Sequence, residues 1–549
     1  MADVAETTGP QVPDARGFAR SAVGMSALTA VSRGTGFLRI IVVTNVLGTT
    51  YLANTYQTAN TVPNILFELL AAGALQAVLV PAMVELVDSK DQAETRHVVG
   101  AILGLSCTML AAVAAAAAVV APHLMRIMVS DVPDAGIREA EVRLGTFLLF
   151  FFLPQIVLYA ANVVATAVLN ATGSFALPVF APTINNVVVI GSYLLFALVR
   201  GDSPPSLELT TGEKLILALG TLGGVVAFCA VPIIAAARRV PLRPNLDHRH
   251  PMVRRLLRQG GWAALFLALT QVLLVVMLQI SNRREGAVAV FQLAFAVYLL
   301  PHALFAVPVM TTRFPSLSRQ AAASDWAGFA DTVGRGIRSI TFLTLPASAL
   351  LIALAEPLTR LVVHGDAADR QSEIADAVAG FAPGVVGFGL LLFFTRACYA
   401  HQDARTPTLV NLLAVAVGVV AMWWVASRVD GIHLVAGLGL ASALAQTVGA
   451  ASLWWVVRRT VTTRHQRLDA SVPLLRNVVA AVISGTVVWF VVDRVGGDSV
   501  AVAVVELAVG GLLGAGLFLV LQALLGGPAP VAAVRSLGAA GRRPGVAVA

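Results

Sequence analysis

The stretch that decides the fold is residues 21–48, SAVGMSALTAVSRGTGFLRIIVVTNVLG. It is apolar and long enough to cross a bilayer, which takes about 20 helical residues, yet it contains Arg33 and Arg39. An arginine at the centre of a membrane helix costs about 2.5–3.5 kcal/mol on insertion scales. Because two arginines are kept in this helix despite that cost, we predict that they have a function. Gly34 and Gly36 lie between them, where a helix can bend or a neighbour can approach closely. We expect this helix to offer positive charge to an anion inside the membrane.

The composition around this stretch is that of a polytopic helical membrane protein. Of the 549 residues, 57% are hydrophobic and only 12% are charged, about half the charged share of a soluble protein. A membrane β-barrel would instead show alternating segments of about ten residues. The three cysteines are far apart and the nine histidines form no metal-binding spacing, so we expect neither a disulfide framework nor a metal or cofactor.

Hydrophobic runs of membrane-spanning length divide the chain into fourteen predicted helices. The predicted spans are 21–48, 55–86, 97–122, 143–169, 176–199, 214–237, 260–281, 287–312, 334–356, 373–400, 407–427, 432–457, 473–492 and 500–525. We group them into an N-lobe (21–237), a C-lobe (260–457) and a basic loop with two C-terminal helices (458–525). The remaining segments are an N-terminal tail (1–20), a basic linker (238–259) and a C-terminal tail (526–549).

The distribution of basic residues predicts how the chain crosses the membrane. With the N-terminus in the cytoplasm, the inner segments hold more than twice as many Lys and Arg residues as the outer ones, as the positive-inside rule requires. Both termini are then cytoplasmic in a bacterial cell membrane. The linker 238–259 is the longest basic segment, and its amphipathic end can lie on anionic lipids, either as general surface adhesion or as specific lipid capture. The same segment also has the position of a hinge between the lobes.

Two matching motifs indicate that the lobes are repeats. Phe180-Ala-Pro-Thr-Ile-Asn-Asn186 opens the fifth span and Arg405-Thr-Pro-Thr-Leu-Val-Asn411 opens the eleventh, six spans later. The second and eighth spans also share a proline, Pro63 and Pro301. Because six is even, both lobes keep the same orientation, which is typical of parallel repeats in transporters. We predict two six-helix lobes followed by two further helices.

Polar residues inside the spans supply the other site candidates. The second span carries a stripe on one side of its helix: Gln57, Asn60, Asn64, Glu68 and Gln76. Glu68 can pair with Arg33 or Arg39 and so lock two helices, or it can act in gating or coupling. Elsewhere, Gln271, His302 and Arg396 are weaker candidates. His302 can be a packing residue, and Arg396 can reach toward the cytoplasm.

The chain resembles the MurJ/MviN family of lipid II flippases, within the multidrug/oligosaccharidyl-lipid/polysaccharide exporter superfamily. The resemblance rests on several motifs in the family's order: Ser32-Arg33-Gly34-Thr35-Gly36-Phe37-Leu38-Arg39, Val62-Pro63-Asn64-Ile65-Leu66, Gly73-Ala74-Leu75-Gln76-Ala77, Phe180-Ala-Pro-Thr183 and Phe314-Pro-Ser-Leu-Ser318. It implies a V-shaped fold with a central cationic cavity and a groove for the lipid tail at the last two helices. It also implies alternating-access transport of an undecaprenyl-diphosphate-linked substrate, with contacts to cell-wall synthesis proteins.

Several positions depart from the family pattern. Ile40 replaces an acid, Phe67 and Glu68 replace an arginine pair, and Asn54 replaces an acid in the first outer loop. Of the family's cationic residues, Arg39 carries over, with Arg33 beside it. Three functions therefore stay open: a lipid II flippase, an exporter of another lipid-linked oligosaccharide or a small molecule, and a non-transporting scaffold. An embedded glycosyltransferase is disfavoured, because no acidic pair is placed for a metal and a sugar nucleotide, and we expect no enzyme. We also expect a monomer that binds no nucleic acid.

Overall fold

The computed structural model describes residues 15–69, 79, 83, 86, 91–250, 261–463, 471–497 and 499–526. Within these ranges the chain is helical and contains no β-strand. The helices are α1 (Ala15–Leu47), α2 (Tyr51–Phe67), α3 (Gln92–Val119), α4 (Ala121–Met128), α5 (Ala135–Phe152), α6 (Gln155–Ala171), α7 (Ala176–Arg200), α8 (Thr211–Ala237), α9 (Gly261–Ser281), α10 (Ala287–Pro301), α11 (Val307–Ala322), α12 (Trp326–Ala353), α13 (Ala355–Val362), α14 (Gln371–Phe381), α15 (Gly384–Ala400), α16 (Arg405–Arg428), α17 (Leu434–Thr462), α18 (Ser471–Val495) and α19 (Val500–Leu524). A π-helical turn, His302–Ala306, joins α10 to α11, and short 3₁₀ turns precede α14 and α17.

Thirteen of the predicted spans are confirmed as helices long and apolar enough to cross a membrane. The second span begins with α2, but most of residues 70–90 lie outside the described part of the chain, including Gln76. Several helices are longer than predicted: Ala287–Ala322 is nearly continuous, and Trp326–Ala353 begins eight residues before the predicted start at 334. Hydropathy marks only the apolar part of a helix, so it misses polar turns that continue beyond the bilayer.

Side chains next to the helices fix where several of them begin. Asp91 and Asp134 cap α3 and α5 by accepting hydrogen bonds from backbone amides of the first turn. Thr210 and Glu213 form a capping box at α8. Each cap satisfies amides that have no partner within the helix. These residues therefore fix the first residue of each of these three helices.

The two lobes use their matching motifs in the same way. In the N-lobe, Asn186 of α7 donates to the Ser32 carbonyl (3.4 Å) and the Thr35 hydroxyl (3.2 Å) of α1. In the C-lobe, Asn411 of α16 donates to the Phe266 carbonyl (2.9 Å) and the Thr270 hydroxyl (3.3 Å) of α9. In both lobes, an asparagine four residues after a proline joins the fifth span to the first. The sequence repeat thus corresponds to a repeated helix contact.

The two C-terminal helices dock against the C-lobe through buried polar groups. Gln522 of α19 donates to Asn477 of α18 (2.9 Å), and Asn477 donates to Thr341 of α12 (3.1 Å). Arg360 of α13 pairs with the fully buried Glu506 of α19 at 3.0 Å. A buried ion pair left without one partner costs about 3–5 kcal/mol. These contacts hold α18 and α19 in one register on α12 and α13.

The described part of the basic linker, residues 238–250, lies along the start of α3. The Asn245 backbone amide donates to the Gly100 carbonyl at 2.9 Å, and the Asn245 side chain donates to the His97 carbonyl, also at 2.9 Å. His97 also bonds Asp247 (2.9 Å) and lowers the pKa of that carboxyl. The predicted amphipathic end of the linker, 251–259, lies outside the described residues. The first half of the linker is therefore part of the N-lobe surface.

Candidate substrate site and the contacts between the lobes

The arginine-bearing helix α1 packs chiefly against α7 and also touches α10 of the other lobe. Its closest fit is at Gly36, where an added Cβ would lie 3.5 Å from the Asn186 amide nitrogen. Nothing lies within 4 Å of the corresponding position at Gly34. Asn186 therefore holds the turn of α1 that separates the two arginines. The sequence pattern did not single out this role, although the motif containing Asn186 was its clearest repeat signal.

Arg33 is exposed on α1 and lies within electrostatic range of the C-lobe near the middle of the bundle. Its charge and that of Arg396 both act on His302. Arg33 lies 14 residues before the end of α1 and His302 lies 15 residues after the start of α10, so each is about 21–22 Å from its helix end. Two predicted residues, from α1 and α15, thus lie within electrostatic range of a third, His302 in the π-helical turn.

His302 is buried, yet its Nδ1 has no hydrogen-bond partner among the described residues. Its ring packs 4.5 Å from that of Phe388, measured between centroids. Arg396 is half-buried and donates to the Thr311 hydroxyl at 3.4 Å, so it contacts α11 of its own lobe. Among the described residues, no acid acts on His302 alongside Arg33 and Arg396. The region can therefore attract an anion.

Arg39 lies in a different environment, toward the N-lobe interior. Its charge acts on Tyr56, Tyr159 and Tyr193. The Tyr56 hydroxyl forms hydrogen bonds with the hydroxyls of Tyr193 (2.8 Å) and Thr221 (2.6 Å). Neither Arg33 nor Arg39 forms an ion pair with a described residue. Arg33 and Arg39 are six residues apart, so their side chains point about 120° away from each other around the helix, in agreement with these separate surroundings.

The polar stripe of the second span is only partly buried. Gln57 is buried and Asn60 is half-buried, whereas Asn64 is exposed and donates to the Asn60 carbonyl at 2.9 Å. Glu68 is half-buried and makes no ion pair with any residue that the structure describes, including Arg33 and Arg39. The exposed Asn64 and the unpaired Glu68 leave polar atoms available on this helix.

Matching prolines precede helical irregularities in the two lobes. Pro63 is buried in α2, and a π-helical turn begins five residues later at Glu68. Pro301 ends α10, and the π-helical turn His302–Ala306 follows directly. Such turns often occur at functional sites and mark places where a helix can bend. Both candidate site residues, Glu68 and His302, therefore lie in a π-helical turn of their span.

The lobes touch each other at the end of the bundle that holds the loop after α1, here called the first-loop end. The buried Asn54 side chain donates to the Arg284 carbonyl (2.8 Å) and accepts from the Val288 amide (3.1 Å). It thereby caps the first turn of α10 from the opposite lobe. The buried Asn282 adds a second link, because it donates to Thr58 and to the Met128 carbonyl, each at 3.1 Å.

Further contacts surround this pair of asparagines. Gly286 has a positive φ of 72°, and an added Cβ there would overlap the Thr49 carbonyl, so only glycine allows the two loops to approach this closely. Asn45 accepts from the His364 amide at 2.7 Å. Arg283 pairs with Asp131 across the lobes at 3.0 Å. The first-loop end is therefore closed.

Sequence reasoning identified Asn54 only as a departure from a family pattern, and it missed Asn282 and Asn186. Single polar residues at the ends of spans resemble ordinary loop residues in a hydropathy profile. Gln271, by contrast, was a candidate, but it is half-buried and forms no hydrogen bond within the described ranges. Asn54 and Asn282 each lie at the loop between the first and second spans of their lobe. A comparison of these two loops could have identified both residues from the sequence.

The described residues form a helical membrane protein with two repeated lobes that close against each other at one end, and two arginines of a spanning helix form no ion pair among them. This arrangement is that of an alternating-access transporter. Its sequence identifies the family within that class. The sequence model described as "Lipid II flippase MurJ" matches residues 43–509. The chain belongs to this family of flippases and is a multi-pass protein of the bacterial inner membrane.

Individual relatives agree with this assignment. The chain is 28% identical over 411 residues to the probable lipid II flippase MurJ of Vibrio cholerae, covering 73% of this chain and 76% of the relative. It is 26% identical over 493 residues to the one of Haemophilus influenzae, covering 85% and 91%.

Solved structures agree on the fold. A lipid II flippase MurJ in an inward closed conformation superposes with a TM-score of 0.72 at 17% identity, covering 91% of this chain and 99% of the other. An inward-facing multidrug resistance transporter of the MATE family follows with a TM-score of 0.65 at 13% identity, covering 80% and 98%. Both similarities concern the fold.

Proposed function

We propose that this chain moves lipid II from the inner to the outer leaflet by alternating access, with Arg33 and Arg39 binding the diphosphate. The observation that carries this proposal is that both arginines lie in a membrane-spanning helix without an ion-pair partner among the described residues. An uncompensated arginine in a membrane is costly, and a planar guanidinium binds two phosphate oxygens at once. A lipid-linked diphosphate supplies the missing anion.

The two arginines have different tasks in this proposal. Arg33 shares its surroundings with His302 and Arg396, so a diphosphate there contacts both lobes and draws them together. Arg39 is closer to the first-loop end, eight residues or about 12 Å before the end of α1. It can receive the anion as the first-loop end opens. The exposed Asn64 and the half-buried Glu68 are proposed to contact the sugar and peptide portion.

The direction of transport follows from the predicted orientation. We infer that the first-loop end faces outward and that both termini are cytoplasmic. The state described here then has its outer end closed by Asn54 and Asn282, and the substrate enters from the cytoplasmic side. Bending at Pro63 and Pro301, with the glycines Gly34 and Gly36 of α1, would let the lobes exchange which end is closed.

The proposed partners follow from the surface chemistry. The basic linker 238–259 is suited to anionic lipid headgroups, and the exposed apolar faces of α18 and α19 are suited to an acyl chain. We infer a monomer that works beside cell-wall synthesis proteins and binds no nucleic acid.

The proposal is tested by rescue of cells depleted of their own flippase. Arg39→Ala should abolish rescue and Arg33→Ala should weaken it strongly, at matched protein levels in the membrane. Arg39→Lys keeps the charge but loses the two-pronged geometry, so it should rescue partially. The matched control is Arg428→Ala, because Arg428 is exposed at the end of α16 and should be dispensable. Full rescue by Arg39→Ala would overturn the assignment of that residue.

A second candidate substrate, another polyprenyl-diphosphate-linked glycan, is favoured by one observation. Phe67 and Glu68 occupy the positions of a family arginine pair, so the region is less basic than in typical members. Competition experiments separate the two: lipid II should displace a labelled lipid-diphosphate probe much more strongly than a carrier with an unrelated glycan. Equal displacement would favour the broader exporter.

A further inference from the structure

Glu141 is a buried acid that the proposed transport mechanism does not use. It lies in the second turn of α5, is 0% exposed, and has one oxygen, Oε2, without any hydrogen-bond partner among the described residues. Its other oxygen, Oε1, lies 3.0 Å from the Thr55 hydroxyl. No arginine, lysine or histidine pairs with it in the described part of the chain. An ionised carboxylate in such a place lacks the counter-charge that burial requires.

A count of hydrogens indicates the protonation state. The Thr55 hydroxyl lies 2.8 Å from the Tyr51 carbonyl as well as 3.0 Å from Glu141. A hydroxyl has one proton to donate, and a carbonyl can only accept. When Thr55 donates to Tyr51, its contact with Glu141 is a hydrogen bond only if Glu141 is the donor. Both contacts are satisfied together when Glu141 is a neutral carboxylic acid with its proton on Oε1.

The position of this acid connects it to the closed first-loop end. Thr55 directly follows Asn54, whose side chain caps α10 of the other lobe. Glu285 lies in the loop that Asn54 contacts, between Arg284 and Val288, so the C-lobe brings an acidic side chain to this end of the bundle. Separation of the lobes would admit water to this region and remove the loop that carries Glu285. Both changes make the charged form of Glu141 less costly.

We propose that Glu141 is a proton-binding site that couples protonation to closure of the first-loop end. In the closed state the proton stays on Oε1; when that end opens, the O–H bond breaks and the proton passes to water that has entered the cleft, leaving a carboxylate. Because the closed state holds one more proton, lower pH favours closure and higher pH favours opening. One proton changes the ratio of closed to open molecules by at most tenfold per pH unit.

Other titratable groups surround α5 and define the controls. They are Tyr51 and Tyr56 on α2, His123 and Arg126 on α4, Tyr159 on α6, Glu213, Lys214 and Cys229 on α8, Asp134, Arg138, Glu139 and Arg143 on or next to α5 itself, and Glu285 from the C-lobe. Arg200 pairs with Glu213 at 2.9 Å, and Arg138 donates to the Val132 carbonyl. Glu139 is exposed two residues from Glu141. It provides a matched carboxyl on the same helix.

The first experiment measures the width of the first-loop end against pH in the full chain, in nanodiscs and without substrate. Spin labels go on cysteines placed at Val119 and Ile432, which are exposed on opposite lobes, after the native cysteines are replaced. The wild-type sequence should gain a longer-distance population as the pH is raised. Glu141→Gln, which can still donate to Thr55, should stay closed at every pH, whereas Glu139→Gln should respond like the wild type. An unchanged pH response in Glu141→Gln would overturn the proposal.

A second measurement does not depend on the folding of any variant. Hydrophobic carbodiimides react with protonated carboxyl groups, so they should modify Glu141 of the unaltered protein at neutral pH and progressively less at higher pH. Modification of Glu141 that does not fall as the pH is raised would refute a neutral Glu141. The proposal would also be refuted if closure depended on the sodium concentration at constant pH while the carbodiimide left Glu141 unmodified. Glu141 would then act as a carboxylate that binds a cation.

Discussion

Removal of the Asn54 side chain should open the first-loop end. Asn54→Ala removes two hydrogen bonds between the lobes, to the Arg284 carbonyl and from the Val288 amide. The Arg284 carbonyl keeps a second hydrogen bond, from the Ala287 amide, when Asn54 is removed. Loss of the bond from Asn54 to this carbonyl therefore costs about 1 kcal/mol, as for a typical hydrogen bond. Val288 is fully buried, and an unsatisfied buried amide costs about 1–3 kcal/mol.

The sum is about 2–4 kcal/mol, and it acts on the closed state alone because water can satisfy these groups once the lobes separate. At 1.4 kcal/mol per factor of ten, the ratio of closed to open molecules should fall roughly 30- to 1,000-fold. Asn54→Asp keeps an acceptor for the Val288 amide at a helix N-terminus, where negative charge is favourable. Asn54→Asp should therefore lower the ratio of closed to open molecules by less than about tenfold.

The assay is the same distance measurement between labels at positions 119 and 432. Ser130→Ala is the matched control, because it removes a bond between the lobes, to Gln279 at 2.9 Å, that is exposed to water; its effect should be too small to measure. If Asn54→Ala leaves the distance distribution of the wild type unchanged, these hydrogen bonds do not hold the end closed and the reasoning is wrong.

Three further changes test other parts of the fold. Gly104→Ala places a Cβ against the linker backbone at Asn245 and should lower thermal stability by about 1–3 kcal/mol, whereas Gly191→Ala, with open space around it, should be neutral or stabilising. Asn186→Ala should lower the melting temperature and weaken the binding of a lipid-diphosphate probe, because α1 loses the bonds that hold its turn; a change in stability without any change in binding would limit Asn186 to packing. Glu506→Ala should destabilise the protein by about 3–5 kcal/mol, and replacing Arg360 at the same time with Met should recover much of that loss.

The membrane class, the spans and the lobe repeat follow from the sequence because each depends on a local or periodic signal. Apolar length determines whether a helix crosses the bilayer, and the motifs at Asn186 and Asn411 lie six spans apart in the chain and make equivalent contacts in the structure. The lengths of the helices are harder to predict, since polar turns such as those before residue 334 continue a helix into water.

The arrangement of the candidate site was less predictable because it depends on which helices meet. Sequence alone offered Glu68 as a partner for the arginines, whereas the structure places α1 mainly on α7 and leaves Glu68 without an ion pair to either of them. It likewise brings Arg33 to His302 and Arg396, which are more than 250 residues away in the chain and carry no signal of a shared site. Glu141 appears in the sequence as one acid near a helix start, and only its burial distinguishes it.

The central claim is that the arginines of α1 carry a lipid-linked diphosphate across the membrane. The most direct measurement reconstitutes the purified chain in vesicles that contain labelled lipid II in one leaflet, and follows the label reaching the other leaflet with a membrane-impermeant quencher. The wild-type sequence and Arg428→Ala should move the label well above the rate of protein-free vesicles, whereas the double variant Arg33→Ala with Arg39→Ala should not. Transport by the double variant at the wild-type rate would contradict the claim.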